Sequence, residues 1–155
     1  MTPIDYSRFL KHLLALLLGQ ILLGAIMSLV PNSFTEEMGA MAAGISSPSI
    51  FFLLMAFLAY PAVESGVLVF FIWALGAMKA NAWLVRIISG ILFGMMHASF
   101  GVGKIMITAY AGMVYSNLFL RTEGGLKAYL QICALHMANN VIVIAGVALL
   151  ARLHS

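Results

Sequence analysis

Four polar side chains lie within otherwise apolar stretches of this chain, and their residue types suggest hydrolytic chemistry. They are Glu64, His97, His136 and Asn140. A carboxylate beside an imidazole can hold and deprotonate a water molecule. A second histidine, together with an asparagine, can donate hydrogen bonds to an oxyanion. The four residues therefore supply what a water molecule needs to attack a peptide carbonyl without a covalent intermediate.

Other sites can be built from the same residue types. Glu64, His97 and His136 could hold zinc and leave an open coordination position. His97 and His136 could be the axial ligands of a haem, although this leaves Glu64 unexplained. Buried Glu and His residues also suit a proton pathway. The residue types alone leave these alternatives open.

The composition indicates a membrane protein. The chain has 155 residues, of which 63% are hydrophobic and 8% charged, and its mean hydropathy is +1.07. A soluble domain is about 45–50% apolar and about 25% charged, so a soluble enzyme, a nucleic-acid binder and a disordered chain are excluded. The net charge of +3 is not a nucleic-acid signal, because loop Lys and Arg residues usually set membrane orientation. We expect one integral-membrane domain over residues 1–155.

The apolar runs predict an all-α, polytopic transmembrane helix bundle of about five spans, since a span needs about 20 apolar residues. The second run is too short for two spans and long for one, so we expect a single helix kinked at Pro61. A proline also frees a carbonyl one turn earlier, so the bend needs polar support. The predicted spans are His12–Val30, Ile50–Met78, Trp83–Phe100, Ile105–Leu120 and Ala128–Leu150.

The distribution of Lys and Arg predicts a cytoplasmic N-terminus and an outer C-terminus. With this orientation the inner side holds Arg8, Lys11, Lys79, Arg86, Arg121 and Lys127, whereas the outer side holds Lys104 and Arg152. The first outer loop carries Glu36 and Glu37, and the stretch Met38–Gly44 is predicted to form a short interfacial helix. We expect a multi-pass protein of a prokaryotic cell membrane.

Small residues at helical spacing predict which faces pack. One stripe on the third helix contains Gly90, Gly94, His97 and Gly101, and a second on the fourth contains Thr108, Gly112 and Ser116. Such stripes let helix backbones approach closely, so His97 should face protein rather than lipid. Gln20 and Asn139 also lie in spans, and we expect them to form interhelical hydrogen bonds.

Three short motifs make the chain resemble the CAAX protease and bacteriocin-processing (Abi) family of intramembrane proteases. That family carries Glu-Glu-x-x-x-Arg, then Phe-x-x-x-His, then His-x-x-x-Asn. This sequence has PAVESGVLVFF around Glu64, FGMMH from Phe93 to His97, and HMANN from His136 to Asn140. The segment between the two His motifs, with its Arg121-Thr122 turn, is also similar. The resemblance covers roughly residues 61–143.

The first motif departs from the family pattern. Ser65 stands at the second Glu and Val69 at the Arg. The missing residues are four apart and would form a helical ion pair, so losing both leaves no unpaired buried charge. The departure implies a short, divergent member of the family. It also keeps open a catalytically inactive, immunity-like or chaperone-like membrane protein of the same fold.

The resemblance implies an intramembrane endopeptidase of the glutamate type that cleaves near a substrate C-terminus. Glu64 and His97 would activate water, while His136 and Asn140 would stabilise the oxyanion. The implied partners are a membrane-anchored or lipid-modified protein substrate and membrane lipid. No cofactor is implied, with zinc on Glu64, His97 and His136 as the alternative. Lys104 is predicted to be an ordinary interfacial lysine, and contact with a substrate carboxylate is the alternative.

Overall fold

A computed structural model describes residues 6–33, 49–123 and 125–153, and these residues are almost entirely helical. The predicted all-α class is confirmed, and the described part contains no strand. The interfacial helix predicted over Met38–Gly44, together with Glu36 and Glu37, lies outside the described residues. The described residues form five helices, α1 (Tyr6–Ser28), α2 (Ile50–Ala77), α3 (Ala82–Met95), α4 (Val102–Leu120) and α5 (Gly125–Leu153).

Three of these helices are long and apolar enough to cross a membrane. They are α1, α2 and the part of α5 from Gly125 to Gly146, and α3 is a shorter apolar helix. Large apolar side chains are exposed on the outside of the bundle, such as Ile21 (69%), Phe51 (69%) and Trp73 (69%). Exposed apolar surface on this scale must contact an apolar environment instead of water. The protein is therefore an integral membrane protein, and the count of about five spans stays a prediction.

α2 is not a regular α-helix throughout. A π-helical turn over Met55–Ala59 separates the α-helical parts Ile50–Leu54 and Tyr60–Ala77, and Pro61 is the second residue of the latter part. The Tyr60 N–H donates to the Met55 carbonyl in the π-helical pattern. Pro61 has no N–H with which to continue that pattern to the Ala56 carbonyl. A kink at Pro61 stays a prediction, but the carbonyl that lacks a backbone donor is identified as that of Ala56.

α4 is the central helix, since it contacts each of the other four. Its small buried residues include Gly103, Thr108, Gly112 and Ser116. A Cβ added at Gly94 of α3 would lie 2.6 Å from the Ile105 carbonyl oxygen of α4. The close α3–α4 packing predicted from the small-residue stripes is therefore confirmed. It is reinforced by a 2.7 Å hydrogen bond between the Ser89 and Ser116 hydroxyls.

The third predicted span is too long at its C-terminal end. α3 ends at Met95, a 3₁₀ turn covers Ala98–Phe100, and Gly101 has φ 91°. Glycine adopts this left-handed conformation without steric cost, so Gly101 can end one helix and begin the next. His97 therefore lies in the α3–α4 connection and Gly101 is not on α3. The predicted four-residue stripe is wrong beyond Gly94.

Candidate active site

Glu64 lies between two imidazoles contributed by other parts of the bundle. One carboxylate oxygen is 3.7 Å from His97 Nε2, and the other is 3.5 Å from His136 Nε2. The side chains are 24% exposed for Glu64, 14% for His97 and 8% for His136. Both distances exceed the 2.7–2.9 Å of a charge-assisted N–H···O bond. The carboxylate is therefore close to both rings without being locked to either.

The orientation of His97 follows from its position after α3. Its Nδ1 lies 3.2 Å from the Phe93 carbonyl oxygen. A carbonyl can only accept, so Nδ1 carries the hydrogen in this contact. In the neutral ring the lone pair is then on Nε2, the atom that faces Glu64. Phe93 packs beside His97, with ring centroids 5.5 Å apart.

His136 is held along both edges of its ring. Its Nδ1 is 3.4 Å from the Ser65 hydroxyl, whereas its Nε2 faces Glu64. Tyr115 lies 5.1 Å from it between ring centroids, and Phe93 contacts it edge-on at 5.9 Å. Ser65, Phe93 and Tyr115 are almost fully buried. The ring is therefore positioned by packing as well as by polar contacts.

Asn140 lies one helical turn after His136 and contacts the π-helical turn of α2. Its Nδ2 donates to the Ala56 carbonyl oxygen at 3.0 Å. This is the carbonyl that Pro61 leaves without a backbone donor. The expected polar support near Pro61 is thus supplied by a residue that was predicted to have a catalytic role. The second Nδ2 hydrogen is available to another acceptor.

All four sequence-predicted site residues line one cavity of about 390 Å³. From Glu64 it extends past Tyr60, Ala56 and Phe52 of α2, and past Phe100 and Lys104 of the α3–α4 connection and α4. The cavity therefore runs from the carboxylate towards one end of the bundle. Its volume suits a small ligand or a short peptide segment.

Several residues in or beside the cavity were not predicted as site residues. Ser65 was known only as a departure from a motif, yet it contacts His136. Tyr115 carried no sequence signal, because a tyrosine in an apolar span is ordinary packing. Lys104 lines the cavity rather than lying only at an interface. Val69, the other departure, packs against the apolar core.

We expected interhelical hydrogen bonds from Gln20 and Asn139, but the side-chain carbonyl oxygens of both residues accept none within the described residues. Gln20 Oε1, Asn139 Oδ1 and the Tyr115 hydroxyl are buried and have no hydrogen-bond partner within the described residues. All three residues line the cavity. Buried polar atoms are rarely left unpaired in folded proteins, and water often satisfies them. The cavity therefore has a polar wall with capacity for water or a ligand.

The metal alternative has no preformed group in the described ranges. Within residues 6–33, 49–123 and 125–153, no three His, Cys, Asp or Glu side chains are grouped so that they could hold a metal ion. Cys133, the single cysteine of the chain, is buried and free. The residues proposed as zinc ligands in the alternative are Glu64, His97 and His136, which are also the candidate catalytic residues.

A helical membrane bundle with a Glu, two His and an Asn around a buried cavity belongs to the class of proteins with an intramembrane polar site. The family model described as type II CAAX prenyl endopeptidase Rce1-like matches residues 46–142. The chain therefore belongs to this Rce1-like family, which is a family of proteases, and the CAAX-protease resemblance is confirmed. Searches of curated proteins and of solved structures found no match.

Proposed function

We propose that this protein is an intramembrane endopeptidase that cleaves a membrane-anchored protein near its C-terminus with water activated by Glu64. The observation that carries the proposal is the position of the Glu64 carboxylate, which faces one imidazole with each oxygen. Membership of a prenyl endopeptidase family supports a substrate with a prenylated C-terminal C-a-a-X motif.

The proposed first step uses Glu64 and His97. A water molecule donates one hydrogen bond to the carboxylate and one to the unprotonated Nε2 of His97. Its oxygen forms a bond to the scissile carbonyl carbon while its proton moves to Glu64. The carbonyl π electrons move to the oxygen, which becomes an oxyanion.

The proposed oxyanion donors are His136 and Asn140. If the Ser65 hydroxyl donates to Nδ1 of His136, the ring hydrogen is on Nε2, on the side of the ring that faces Glu64 in the cavity wall. The second Nδ2 hydrogen of Asn140 supplies the other donor. When the tetrahedral intermediate collapses, the C–N bond breaks and the proton held by Glu64 passes to the leaving amine. No covalent enzyme intermediate is needed.

The test compares cleavage of a pooled farnesylated C-a-a-X peptide library by purified variants in lipid nanodiscs. Glu64→Gln, His97→Ala and His136→Ala should each abolish cleavage, read by mass spectrometry of the products. Glu123→Gln and His12→Ala are matched controls outside the cavity and should cleave normally. Full activity of Glu64→Gln would reject the mechanism.

The effect of a strong chelator on cleavage distinguishes the zinc-dependent mechanism from the metal-free one. In the zinc-dependent mechanism, Glu64, His97 and His136 would be ligands and zinc would polarise the carbonyl or activate the water. We propose the metal-free version and expect cleavage to persist after prolonged dialysis against a strong chelator. Loss of activity that added zinc restores would establish the metal instead.

The non-enzymatic alternatives have their own readouts. A bis-histidine haem would need the Nε2 atoms of both rings for its iron, but these two atoms face the Glu64 carboxylate. A Soret band in the purified protein would establish the haem. An inactive, immunity-like protein of the same fold would leave every library peptide intact while still unfolding cooperatively.

We further propose that the protein resides in a prokaryotic cell membrane with its N-terminus in the cytoplasm.

A further inference from the structure

Lys104 provides a positive charge inside the cavity that contains the candidate catalytic residues. It lies in the first turn of α4, shortly after His97 in the chain, and it lines the cavity together with Glu64. Among the described residues, it is the single Lys or Arg in the cavity lining. A charge that lines a cavity is positioned to contact the ligand that the cavity holds.

The surroundings of Lys104 are unfavourable for an ammonium group without a ligand. The neighbouring cavity wall contains apolar side chains such as Phe100 and Val143. The first turn of a helix carries the positive end of its dipole, which disfavours a cation. In the part of the chain that the structure describes, no carboxylate lies within 4.0 Å of this lysine.

Glu64 balances this charge only partly. The carboxylate and the ammonium attract each other across the cavity, but they form no ion pair. Under the proposed function, the Glu64 carboxylate is committed to water at the scissile bond. An anionic group on the ligand would then be the natural partner for Lys104, because it would offset the cost of burying the cation.

We propose that the Lys104 ammonium binds the free α-carboxylate at the substrate C-terminus and thereby selects substrates whose scissile bond lies a few residues from that end. This inference rests on the proposed function. The cavity presents a water-activating carboxylate and a cation together, so the ligand must present a carbonyl and an anion a short distance apart. The last residues of a polypeptide have this arrangement. Lys104 is thus a specificity-determining residue.

Two other anions have related chemistry and are separated by the design of the test. An acidic side chain near the scissile bond would be preferred whether the peptide ends in an acid or an amide. A phospholipid headgroup would make cleavage depend on anionic lipid rather than on the peptide terminus. The assays therefore use peptide pairs that differ only at the terminus, in nanodiscs with and without anionic lipid.

The first experiment measures kcat/KM for farnesylated C-a-a-X peptides made as free acids and as C-terminal amides. The wild type should prefer the acid by about tenfold to a hundredfold, since a hydrogen bond to a charged group contributes about 1.5–3 kcal/mol and each 1.4 kcal/mol is tenfold. K104M should cleave the acid and the amide equally, with the loss mainly in KM. K104R should restore part of the preference, and K11M, which removes an exposed lysine outside the cavity, should retain all of it.

The second experiment measures binding without catalysis. In the E64Q background, the tripeptide product as a free acid should bind more tightly than its amide, and addition of K104M should remove the difference. An unchanged acid-to-amide ratio in K104M overturns the role of Lys104 while leaving the endopeptidase intact. Absence of cleavage in the wild type rejects the proposed function, and the binding ratio then still decides whether Lys104 holds a carboxylate. Dependence on anionic lipid instead of the terminus also overturns the proposal.

Discussion

At the scale of single residues, the site depends on contacts made by the Nδ1 atom of each histidine. His97 donates from Nδ1 to the Phe93 carbonyl, and His136 contacts the Ser65 hydroxyl through Nδ1. Both rings therefore turn Nε2 towards Glu64. The Phe93 carbonyl can only accept and so sets the tautomer of His97, whereas the Ser65 hydroxyl can donate to His136. The two histidines can thus have different roles although both face the same carboxylate.

Ser65→Ala should lower kcat by about twofold to tenfold, because a neutral hydrogen bond contributes about 0.5–1.5 kcal/mol and 1.36 kcal/mol corresponds to tenfold in rate. KM should stay unchanged, since the hydroxyl acts on His136 and not on the substrate. Steady-state kinetics with the peptide library checks both values. Ser89→Ala is the matched control, because Ser89 is also buried and hydrogen-bonded, but its hydroxyl contacts Ser116 instead of a site histidine. An equal effect of both changes would indicate a general packing defect.

The residue types of the site could be predicted from the sequence, but their contacts could not. A Glu and two His in apolar spans stand out because buried ionisable groups are expensive. The Ser65–His136 contact joins residues 71 positions apart, and no spacing rule predicts it. Likewise, the bond from Asn140 to Ala56 depends on how α2 and α5 pack.

At the scale of elements, the π-helical turn and Pro61 of α2 are coupled to α5 through Asn140. The Ala56 carbonyl receives its hydrogen bond from Asn140 because residue 61 has no N–H. One side chain therefore supports a helix irregularity and lies in the candidate active site. A loss of activity in an Asn140 variant has two possible causes, which stability measurements separate.

Asn140→Ala should lower the free energy of unfolding by about 1 kcal/mol more in the wild-type background than in Pro61→Ala, because an alanine at position 61 can donate its own N–H to the Ala56 carbonyl. Unfolding by SDS titration from mixed micelles measures this coupling. Asn139→Ala is the matched neighbour, and its effect should add to that of Pro61→Ala. Equal effects of Asn140→Ala in both backgrounds would contradict the proposed carbonyl support.

Gly94→Ala should destabilise the protein by about 1–3 kcal/mol through overpacking. Its added Cβ would lie 2.6 Å from the Ile105 carbonyl oxygen and 2.8 Å from Ala109 Cβ. Gly66→Ala is the matched control within a helix, because no heavy atom lies within 4 Å of its added Cβ. That change should be neutral or stabilising, since alanine favours helix by about 1 kcal/mol over glycine. The same unfolding assay applies, and equal stabilities of the two variants would contradict the close α3–α4 contact.

The helices themselves were largely predictable, whereas their irregularities were not. Each of the five apolar runs coincides with a helix, because backbone groups in a membrane must be satisfied within the segment. The end of α3 at Met95 was missed, since the apolar pattern continues to Phe100. Gly101, with its positive φ, separates the 3₁₀ turn from α4, and glycine alone does not reveal whether it packs or turns.

At the scale of the whole molecule, the family match and the cavity do not cover the same parts of the chain. The match spans residues 46–142, whereas α1 precedes it and contributes Gln20 to the cavity wall. A hydrogen bond connects α4 to α1, because the Tyr110 hydroxyl donates to the Ala15 carbonyl at 2.7 Å. The N-terminal helix is therefore part of the site enclosure.

The predicted orientation can be tested with introduced cysteines in a Cys133→Ala background. Lys79→Cys, between α2 and α3, should react with an impermeant maleimide only after the cells are opened. Val102→Cys, at the start of α4, should react in intact cells because the bias of Lys and Arg places it outside. Both positions are exposed. The reverse pattern would show that the N-terminus is outside and that the cavity end faces the cytoplasm.

The π-helical turn in α2 has a consequence for how the helix can vary in length. Phe52, Ala56, Tyr60 and Glu64 all line the cavity, although four-residue steps along an ideal α-helix drift by about 40° each. The wider turn accommodates one additional residue and so cancels about 100° of that rotation. Deleting a single residue between Met55 and Ala59 would therefore leave a regular α-helix with Phe52 still in phase with Glu64, whereas an insertion would rotate Phe52 by about 100°. In this segment, a one-residue deletion should be tolerated better than a one-residue insertion.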